Sequence, residues 1–211
     1  PMQVLRLKKK MGNASNASSE TELRGALAWM VGEEGRGVRT IIEMVSMTRF
    51  DCMIGSSAGM RMAASQALHH CARRSAFGRV LNQQPLMQNV LADLALESEA
   101  ATTLTMRMAR AMDNRAIESE DLLVRLVTAV GKYWICKRTP NHAYEAMECI
   151  GGSGVMEDSM MPRLFRESPV NAIWEGSGNV QCLDVLRAMS KTPAVVDAFF
   201  AEVGLARGAH A

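Results

Sequence analysis

The sequence lacks the features of a membrane-spanning protein and of a strongly charged binding surface. It contains no apolar run long enough to cross a bilayer, and no secretory leader is visible. Its formal net charge is +2 over 211 residues, which gives no strong electrostatic argument for nucleic acid or an anionic membrane as a partner. With 48% hydrophobic and 22% charged residues, the composition is that of an ordinary soluble globular domain, and we expect no membrane partner.

Cysteine pairs at the spacing of a metal site or a disulfide framework are also missing. The five cysteines are Cys52, Cys71, Cys136, Cys149 and Cys182. Their number is odd, none forms a C-x-x-C pair and all are predicted in apolar or helical surroundings, which favours reduced, buried thiols and a cytoplasmic location. The histidines are His69, His70, His142 and His210. They are not spaced as metal ligands with nearby acids, so we predict no metal site.

Apolar residues recur at steps of three and four from Val38 onward, which predicts helices. The face predicted for the first helix consists of Val38, Ile41, Val45, Thr48, Cys52, Gly55, Gly59 and Met62. Gly55, Gly59 and Ala63 are four residues apart, so the backbone of a neighbouring helix, or a flat ligand, can approach closely there.

Caps and prolines predict the boundaries of the later helices. The second helix is predicted to open at Asn82, which is a good N-cap, and the third to open at Ser119 and stop at Pro140. A shorter helix then runs to Ile150, a last long helix spans residues 179–189, and a tail helix follows. Four long amphipathic segments with short connections predict an all-α fold, an up-and-down four-helix bundle.

The N-terminal residues 1–31 carry strand and turn chemistry rather than a helical period. A strand-like segment from Val4 to Leu7 precedes a polar run from Gly12 to Ser19. Because a lone pair of strands is not stable by itself, this segment needs either the helices or a separate partner piece to pack against.

Three short motifs carry the functional signal. They are Arg73-Arg74-Ser75-Ala76-Phe77-Gly78, Glu148-Cys149-Ile150-Gly151-Gly152-Ser153-Gly154 and Ile173-Trp174-Glu175-Gly176-Ser177-Gly178. Each alone is a weak signal. In this order they resemble the C-terminal helical domain of the flavin-dependent acyl-CoA dehydrogenases, and the stretch from Trp174 to Arg187 is most similar to the alkylation-response branch of that family.

The resemblance covers nearly the whole chain and divides it in two. Residues 1–31 resemble the end of the family's middle β-domain with its linker, and residues 32–211 resemble its C-terminal helical bundle. The family's N-terminal helical domain and most of its β-domain have no counterpart in this sequence. We therefore expect the chain by itself to be inactive.

Glu175 is the candidate catalytic residue. The resemblance implies that it takes the α-proton of an acyl-CoA thioester while the β-hydrogen leaves as hydride to the flavin of FAD. A glutamate before a helix is more commonly an acid that compensates the helix dipole. The surrounding motif instead favours a catalytic base at Glu175. Some family members carry the base on the first long helix. The matching position here, before Arg49, is Thr48, which cannot act as a base.

Two further residues are predicted on the substrate side. Gly176 leaves room for a planar group to pass against the backbone, and Arg49 follows the alternative base position. Ser177 stands where the family has Thr or Ser before further flavin contacts, and its hydroxyl can donate a hydrogen bond to the cofactor.

The other predicted FAD contacts lie in the two upstream motifs. The resemblance implies that Arg74 pairs with the pyrophosphate of a flavin across a dimer interface and that Phe77 lies along the adenine. Gly151 and Gly152 let the backbone approach the pyrophosphate. Taken alone, Arg74 is more commonly part of a charged helix end, and Gly-Gly-x-Gly is more often a helix stop. Glu148 stands where many members have Gln, and a carboxylate there repels a pyrophosphate.

The resemblance implies FAD as cofactor, a role in fatty acid metabolism, a homodimer or homotetramer, and an electron acceptor protein. One alternative is an alkylation-response-type flavoprotein that binds DNA and keeps vestigial dehydrogenase activity. The C-terminal tail argues against this alternative. After residue 189 it carries two fixed cations, Lys191 and Arg207, and two acids, Asp197 and Glu202, so it forms no basic patch for nucleic acid. A third possibility is an assembly domain that binds no flavin.

Overall fold

The computed structural model describes residues 1–209 and contains six helices and two small hairpins in that range. The helices are α1 (Gly37–Cys71), α2 (Pro85–Asp113), α3 (Glu118–Ile150), α4 (Met161–Glu167), α5 (Gly178–Lys191) and α6 (Ala194–Gly204). The antiparallel strand pairs are β1 (Met2–Leu7) with β2 (Ser19–Leu23), and β3 (Ser75–Ala76) with β4 (Arg79–Val80). No helix within residues 1–209 has the length and hydropathy needed to cross a membrane.

The long helices α1, α2 and α3 pack on one another, and α5 and α6 pack on α3. One core cluster is built around Met53, Met60, Met108 and Ile135, all almost fully buried. A second, richer in alanine and cysteine, joins the C-terminal ends of α1 and α3 to the start of α2. The predicted all-α bundle is confirmed. Its α5 has only 14 residues, so three of the four main helices carry most of the core.

The prediction that a helix stops at Pro140 is wrong. Helix α3 continues through this proline to Ile150. An interior proline removes one backbone hydrogen bond and typically costs about 3 kcal/mol. The helix carries buried residues on both sides of the proline, from Cys136 and Thr139 to Ala143. Burial of this continuous face offsets the local cost, which sequence rules do not include.

The predicted start of α2 and the predicted face of α1 are also wrong in part. Helix α2 begins at Pro85, while Asn82 lies in a 3-10 turn and its carbonyl, not its side chain, accepts a bond from Gln88. On α1, Val38 and Ile41 are exposed. The residues buried on α1 are Phe50, Cys52, Met53, Ser56, Ser57, Met60, Ala63, Ala64, Ala67 and Cys71.

The glycines of α1 do not serve close helix packing. A methyl group added at Gly55 would have the Asn171 amide nitrogen as its nearest neighbour, at 3.3 Å, and at Gly59 nothing described lies within 4 Å. Both glycines instead line a cavity of about 440 Å³ that α1 shares with α3 and α4.

The cysteine prediction holds at four positions and fails at Cys182. All five thiols are free, and the four on α1 and α3 are buried. Cys182 is exposed because α5 turns Gln181 and Ala188 toward the bundle and leaves Cys182 on the opposite side.

The N-terminal hairpin contacts the bundle through the turn between its strands. The backbone N–H of Asn13 donates a 2.8 Å hydrogen bond to the Glu167 carboxylate at the end of α4. Gly12 lies so close that an added Cβ would overlap the Arg166 carbonyl oxygen. The division into residues 1–31 and 32–211 stays a prediction, but this turn ties the first part to the second.

Candidate active site

Glu175 lies on a strained turn between α4 and α5. Its φ is 57°, in the left-handed region that non-glycine residues seldom occupy. The next residue, Gly176, has a φ of 98°, and a Cβ there would lie 2.8 Å from Val180 Cγ1 and from Gln181 Nε2. Both conformation and space therefore require glycine at 176. Backbone strain of this kind is found preferentially at functional sites.

The half-buried Glu175 is held from α1. The Thr48 hydroxyl donates a 2.9 Å hydrogen bond to Glu175 Oε2, and Arg49 Nε donates a 3.0 Å bond to the Glu175 carbonyl oxygen. Two consecutive residues of α1 thus fix the side chain and the backbone of the same glutamate. The guanidinium of Arg49 is engaged by protein groups, and its predicted contact with substrate stays a prediction.

Asp184 on α5 completes this arrangement. It accepts a 2.7 Å bond from Arg49 Nη1 and a 3.1 Å bond from Arg125 Nη2 of α3. Burial by itself would raise the pKa of the Asp184 carboxyl, but the two guanidinium groups outweigh burial and lower the pKa below its usual value. The ion pairs join α1, α3 and α5 directly behind the turn.

Two buried side chains hold the turn from within the bundle. Lys132 Nζ donates 2.9 Å hydrogen bonds to the carbonyl oxygens of Asn171 and Gly176. Gln181 Nε2 donates to the Gly176 carbonyl at 2.9 Å and to the Glu175 carbonyl at 3.2 Å. Sequence reasoning missed both residues. The signal for Lys132 is present, since this cation falls at helical spacing among the buried positions of α3.

Trp174 is fixed beside the glutamate and remains partly exposed. Its indole N–H donates a 3.0 Å bond to Asn171 Oδ1, and the Asn171 amide donates a 3.2 Å bond to Ser56 Oγ on α1. The aromatic ring and the carboxylate therefore belong to one ordered segment rather than a loose loop.

Three of the predicted FAD contacts lie at the C-terminal end of α3. Gly151 ends the helix with a φ of 69°, and nothing described lies within 4 Å of a Cβ added at Gly151 or Gly152. The exposed Glu148 lies one turn before, and its carbonyl accepts the Gly151 N–H.

The β3–β4 hairpin brings two more predicted contacts to the same end of the bundle. Arg74 is exposed at its start, and Phe77 is 98% exposed at its tip with a φ of 52°. The thiol of Cys71 lies 3.6 Å from the Cys149 carbonyl oxygen, which places the ends of α1 and α3 side by side. An exposed guanidinium, an exposed aromatic ring and open glycine backbone thus occur at the same end of the bundle.

The structure divides the predicted site residues into two groups. Arg49, Gly176 and Ser177 accompany Glu175, and Ser177 is exposed and makes no capping hydrogen bond. The remainder lie near the C-terminal end of α3. Lys132, which bonds the Glu175 turn, precedes Gly151 by 19 residues, which corresponds to roughly 28 Å of helix. Within residues 1–209 no cluster of three or more metal-ligating side chains occurs. His210 lies outside the described residues.

Comparison with known proteins shows the family to which the chain belongs. A family model described as the C-terminal domain of acyl-CoA dehydrogenase matches residues 35–190. The chain belongs to the acyl-CoA dehydrogenase family. AidB of Escherichia coli (strain K12), the alkylation-response member of the family, is 53% identical over 196 residues, which are 93% of this chain and 36% of that protein. The predicted family and branch are confirmed.

Other acyl-CoA dehydrogenases extend the comparison. Cyclohexane-1-carbonyl-CoA dehydrogenase of Geobacter metallireducens is 28% identical over 198 residues, covering 92% of this chain and 50% of its own length. The crystal structure of Caenorhabditis elegans ACDH-11 in complex with C11-CoA superposes with a TM-score of 0.92 at 34% identity, covering 97% of this chain and 35% of that one. The chain thus spans about a third to a half of the length of these acyl-CoA dehydrogenases.

Proposed function

We propose that this chain is the C-terminal helical part of an FAD-dependent acyl-CoA dehydrogenase that oxidises the Cα–Cβ bond of an acyl-CoA thioester, with Glu175 as the base. The observation that carries the proposal is the Glu175 carboxylate itself. It is half-buried on a strained turn, held against α1 by Thr48 and flanked by a partly exposed Trp174. A general base needs this kind of fixed direction toward the proton that it removes.

Glu175 on the turn and two residues of α1 have separate roles in the proposed reaction. Glu175 takes the α-proton as a pair of electrons moves into the Cα–Cβ bond. Thr48 orients the carboxylate by donating to Oε2, which leaves Oε1 to accept the proton. Arg49 holds the backbone of the base through the Glu175 carbonyl. FAD, when bound, supplies the acceptor for the hydride that leaves Cβ.

The site residues near the C-terminal end of α3 suit a pyrophosphate. Arg74 provides a charged fork of donors and Gly151 and Gly152 provide open backbone, while Phe77 offers an exposed aromatic face. The Glu148 carboxylate would repel the pyrophosphate, so Glu148 is the least supported of the predicted FAD contacts. The roughly 28 Å of helix between Lys132, which bonds the Glu175 turn, and Gly151 supports contact of Gly151 and Gly152 with a flavin that a neighbouring subunit holds.

An acyl-CoA substrate is supported by the relative from Caenorhabditis elegans, whose structure contains C11-CoA and whose fold matches nearly all of this chain. The proposed enzyme also needs an electron acceptor to reoxidise the flavin. We further propose that it acts in the cytoplasm in fatty acid metabolism.

The test uses the full-length protein. Acyl-CoA thioesters of several chain lengths are added anaerobically, and bleaching of the flavin absorbance is followed by stopped flow. At least one acyl-CoA is expected to bleach the flavin. A yellow protein that no acyl-CoA reduces would overturn the proposal.

The variant Glu175→Gln tests the base. The amide keeps the shape and the Thr48 contact but cannot take a proton, so flavin reduction is expected to slow by roughly 10²–10⁴-fold. Binding of FAD and acyl-CoA should stay unchanged. Glu99→Gln, on the exposed side of α2, is the matched control. Wild-type reduction by Glu175→Gln would show that the base lies elsewhere.

The alternative is a DNA-binding flavoprotein of the alkylation-response branch. It is favoured by the identity to AidB and by the exposed cations Arg73, Arg74 and Arg79 around the β3–β4 hairpin. A salt-dependent DNA-binding assay on the full-length protein separates the two, because neutralising phosphate makes affinity fall steeply with salt. Tight, salt-sensitive DNA binding without acyl-CoA-dependent bleaching would favour this alternative.

A further inference from the structure

Lys132 is a lysine in the centre of the protein. Its side chain is 1% exposed, and it is the largest of the fully buried side chains within residues 1–209. Lysine is almost never buried to this extent unless its charge is compensated. Burial lowers the pKa of its ammonium below the usual value, although the nearby thiols of Cys52 and Cys136 act in the opposite direction.

The hydrogen-bond partners of this ammonium are backbone carbonyls rather than a carboxylate. The two carbonyl oxygens belong to Asn171 and Gly176, both at 2.9 Å from Nζ. They lie on either side of Glu175 in the sequence, so a single cation joins the two ends of the segment that carries the base. Hydrogen bonds from a charged donor are about twice as strong as neutral ones.

The segment needs this support because of its conformation. Glu175 has a φ of 57°, which is strained for a residue other than glycine, and strained backbone persists only where its surroundings over-determine it. The side chain of Gln181 reinforces the Gly176 carbonyl. It does not reach Asn171, so Lys132 is the residue that closes the turn between its two ends.

We propose that Lys132 is a positioning residue that holds residues 171–176 in the conformation that directs the Glu175 carboxylate. The inference deepens the proposed function and rests on it only for the consequence for catalysis. The ordering of the turn is a separate consequence, and it can be measured without any reaction.

The experiment compares Lys132→Met with wild type in the full-length protein by hydrogen–deuterium exchange. Methionine keeps the apolar stem and removes the ammonium. The informative amides are those of Ile173 and Trp174, which bond the Val170 carbonyl in the native turn. Their exchange is expected to rise about tenfold or more, with amides in the middle of α1 and α2 unchanged. Lys191→Met, the same change at an exposed position of α5, should leave exchange as in wild type.

Catalysis supplies the second measurement. In Lys132→Met the rate of flavin reduction by acyl-CoA should fall at least tenfold while the acyl-CoA dissociation constant stays unchanged, because the base is misdirected and the binding surface is intact. Lys132→Gln, which keeps a shorter donor, should recover part of both effects. Replacing a core residue with no positioning role would not lower the rate while leaving the acyl-CoA dissociation constant unchanged, and glutamine at that position would not restore part of the rate.

Three outcomes would overturn the proposal. They are wild-type exchange in residues 171–176 of Lys132→Met, a uniform increase in exchange across the whole bundle, and failure of both Lys132 variants to fold, which would make the lysine a requirement of the fold. If wild type is not reduced by any acyl-CoA, the proposed function fails, and the exchange measurement still decides whether Lys132 orders the turn.

Discussion

The hydroxyl of Thr48 donates a 2.9 Å hydrogen bond to the carboxylate of Glu175, 127 residues away in the sequence. These are the two positions at which the family is expected to place its base. Their contact means that a carboxylate on either residue would occupy nearly the same space. The two alternatives therefore differ in which element carries the base, α1 or the turn before α5, and we propose that in this chain the turn carries it.

This contact predicts that the base can be moved. In the full-length protein, Thr48→Glu combined with Glu175→Gln should recover at least tenfold of the flavin reduction that Glu175→Gln loses, since the loss from removing a general base is roughly 10²–10⁴-fold. The control is Thr48→Gln with Glu175→Gln, which has the same size and no base. Equal rates for the two double variants would contradict the prediction.

Arg107 fastens α6 to the bundle and gives the fold an acid-sensitive contact. Its Nη2 lies 2.9 Å from Glu202 Oε2 on α6, and its Nη1 lies 2.8 Å from Glu120 Oε2 on α3. Hydrogen bonding by Arg107 lowers the pKa of the Glu202 carboxyl below its usual value of 4.5. Because the folded pKa is the lower one, this contribution to stability is complete above about pH 4.5 and is lost as pH falls through the folded pKa.

Arg107→Met should therefore lower the free energy of unfolding by about 1–2 kcal/mol near neutral pH, after allowance for partial exposure. It should also flatten the loss of stability below pH 4.5, because Glu202 no longer has a partner to lose. Urea unfolding at a series of pH values measures both effects, with Arg187→Met on the exposed side of α5 as control. An unchanged acid dependence in Arg107→Met would contradict the assignment.

Gly12→Ala should detach the N-terminal hairpin from α4. The added methyl overlaps the Arg166 carbonyl oxygen, and overpacking of this kind costs about 1–3 kcal/mol. Limited proteolysis is expected to cut residues 8–19 faster in this variant while the helices stay protected. Gly59→Ala, where the methyl enters open space, is the matched control. If both variants are cut at the wild-type rate, the docking seen between Asn13 and Glu167 does not anchor the hairpin.

Oligomeric state is the remaining prediction. Because Arg74 and Gly152 are proposed to contact the pyrophosphate of an FAD that a neighbouring subunit holds, the full-length protein is expected to be a homodimer or homotetramer. Light scattering at micromolar concentration measures the mass, and Arg74→Met should reduce FAD retention without changing that mass. A strictly monomeric protein that retains FAD would contradict the shared cofactor.

Most of the helical fold was predictable, and so was the position of the candidate base Glu175 just before a helix, because both rest on local patterns. The apolar period predicted the bundle, and the motif around Glu175 indicated the turn before α5. The errors at Asn82 and Pro140 have one cause. Local cap and breaker rules assign each residue its isolated preference, whereas α3 keeps its helix through Pro140 because residues on both sides of it are buried.

The rest of the site was not predictable because it consists of contacts between distant elements. Lys132 belongs to no motif. Gln181 and Asp184 lie within the stretch from Trp174 to Arg187, but the resemblance gave them no role. Lys132 and Gln181 bond the turn directly, and Asp184 acts on it through Arg49. A buried cation at helical spacing is visible in the sequence, but its partners are carbonyl oxygens, and no side-chain pattern marks a carbonyl.

The sequence by itself determined the family and the helical class and singled out Glu175 as the candidate base, since these follow from short motifs and from periodicity along one chain. Only the tertiary structure decided that Thr48 and Glu175 touch, that Lys132 closes the turn between Asn171 and Gly176, and that one group of site residues lies beside the middle of α3 and the other at its C-terminal end. The physical reason is that a helix period sets which face is buried, whereas packing sets which residues of two distant segments meet.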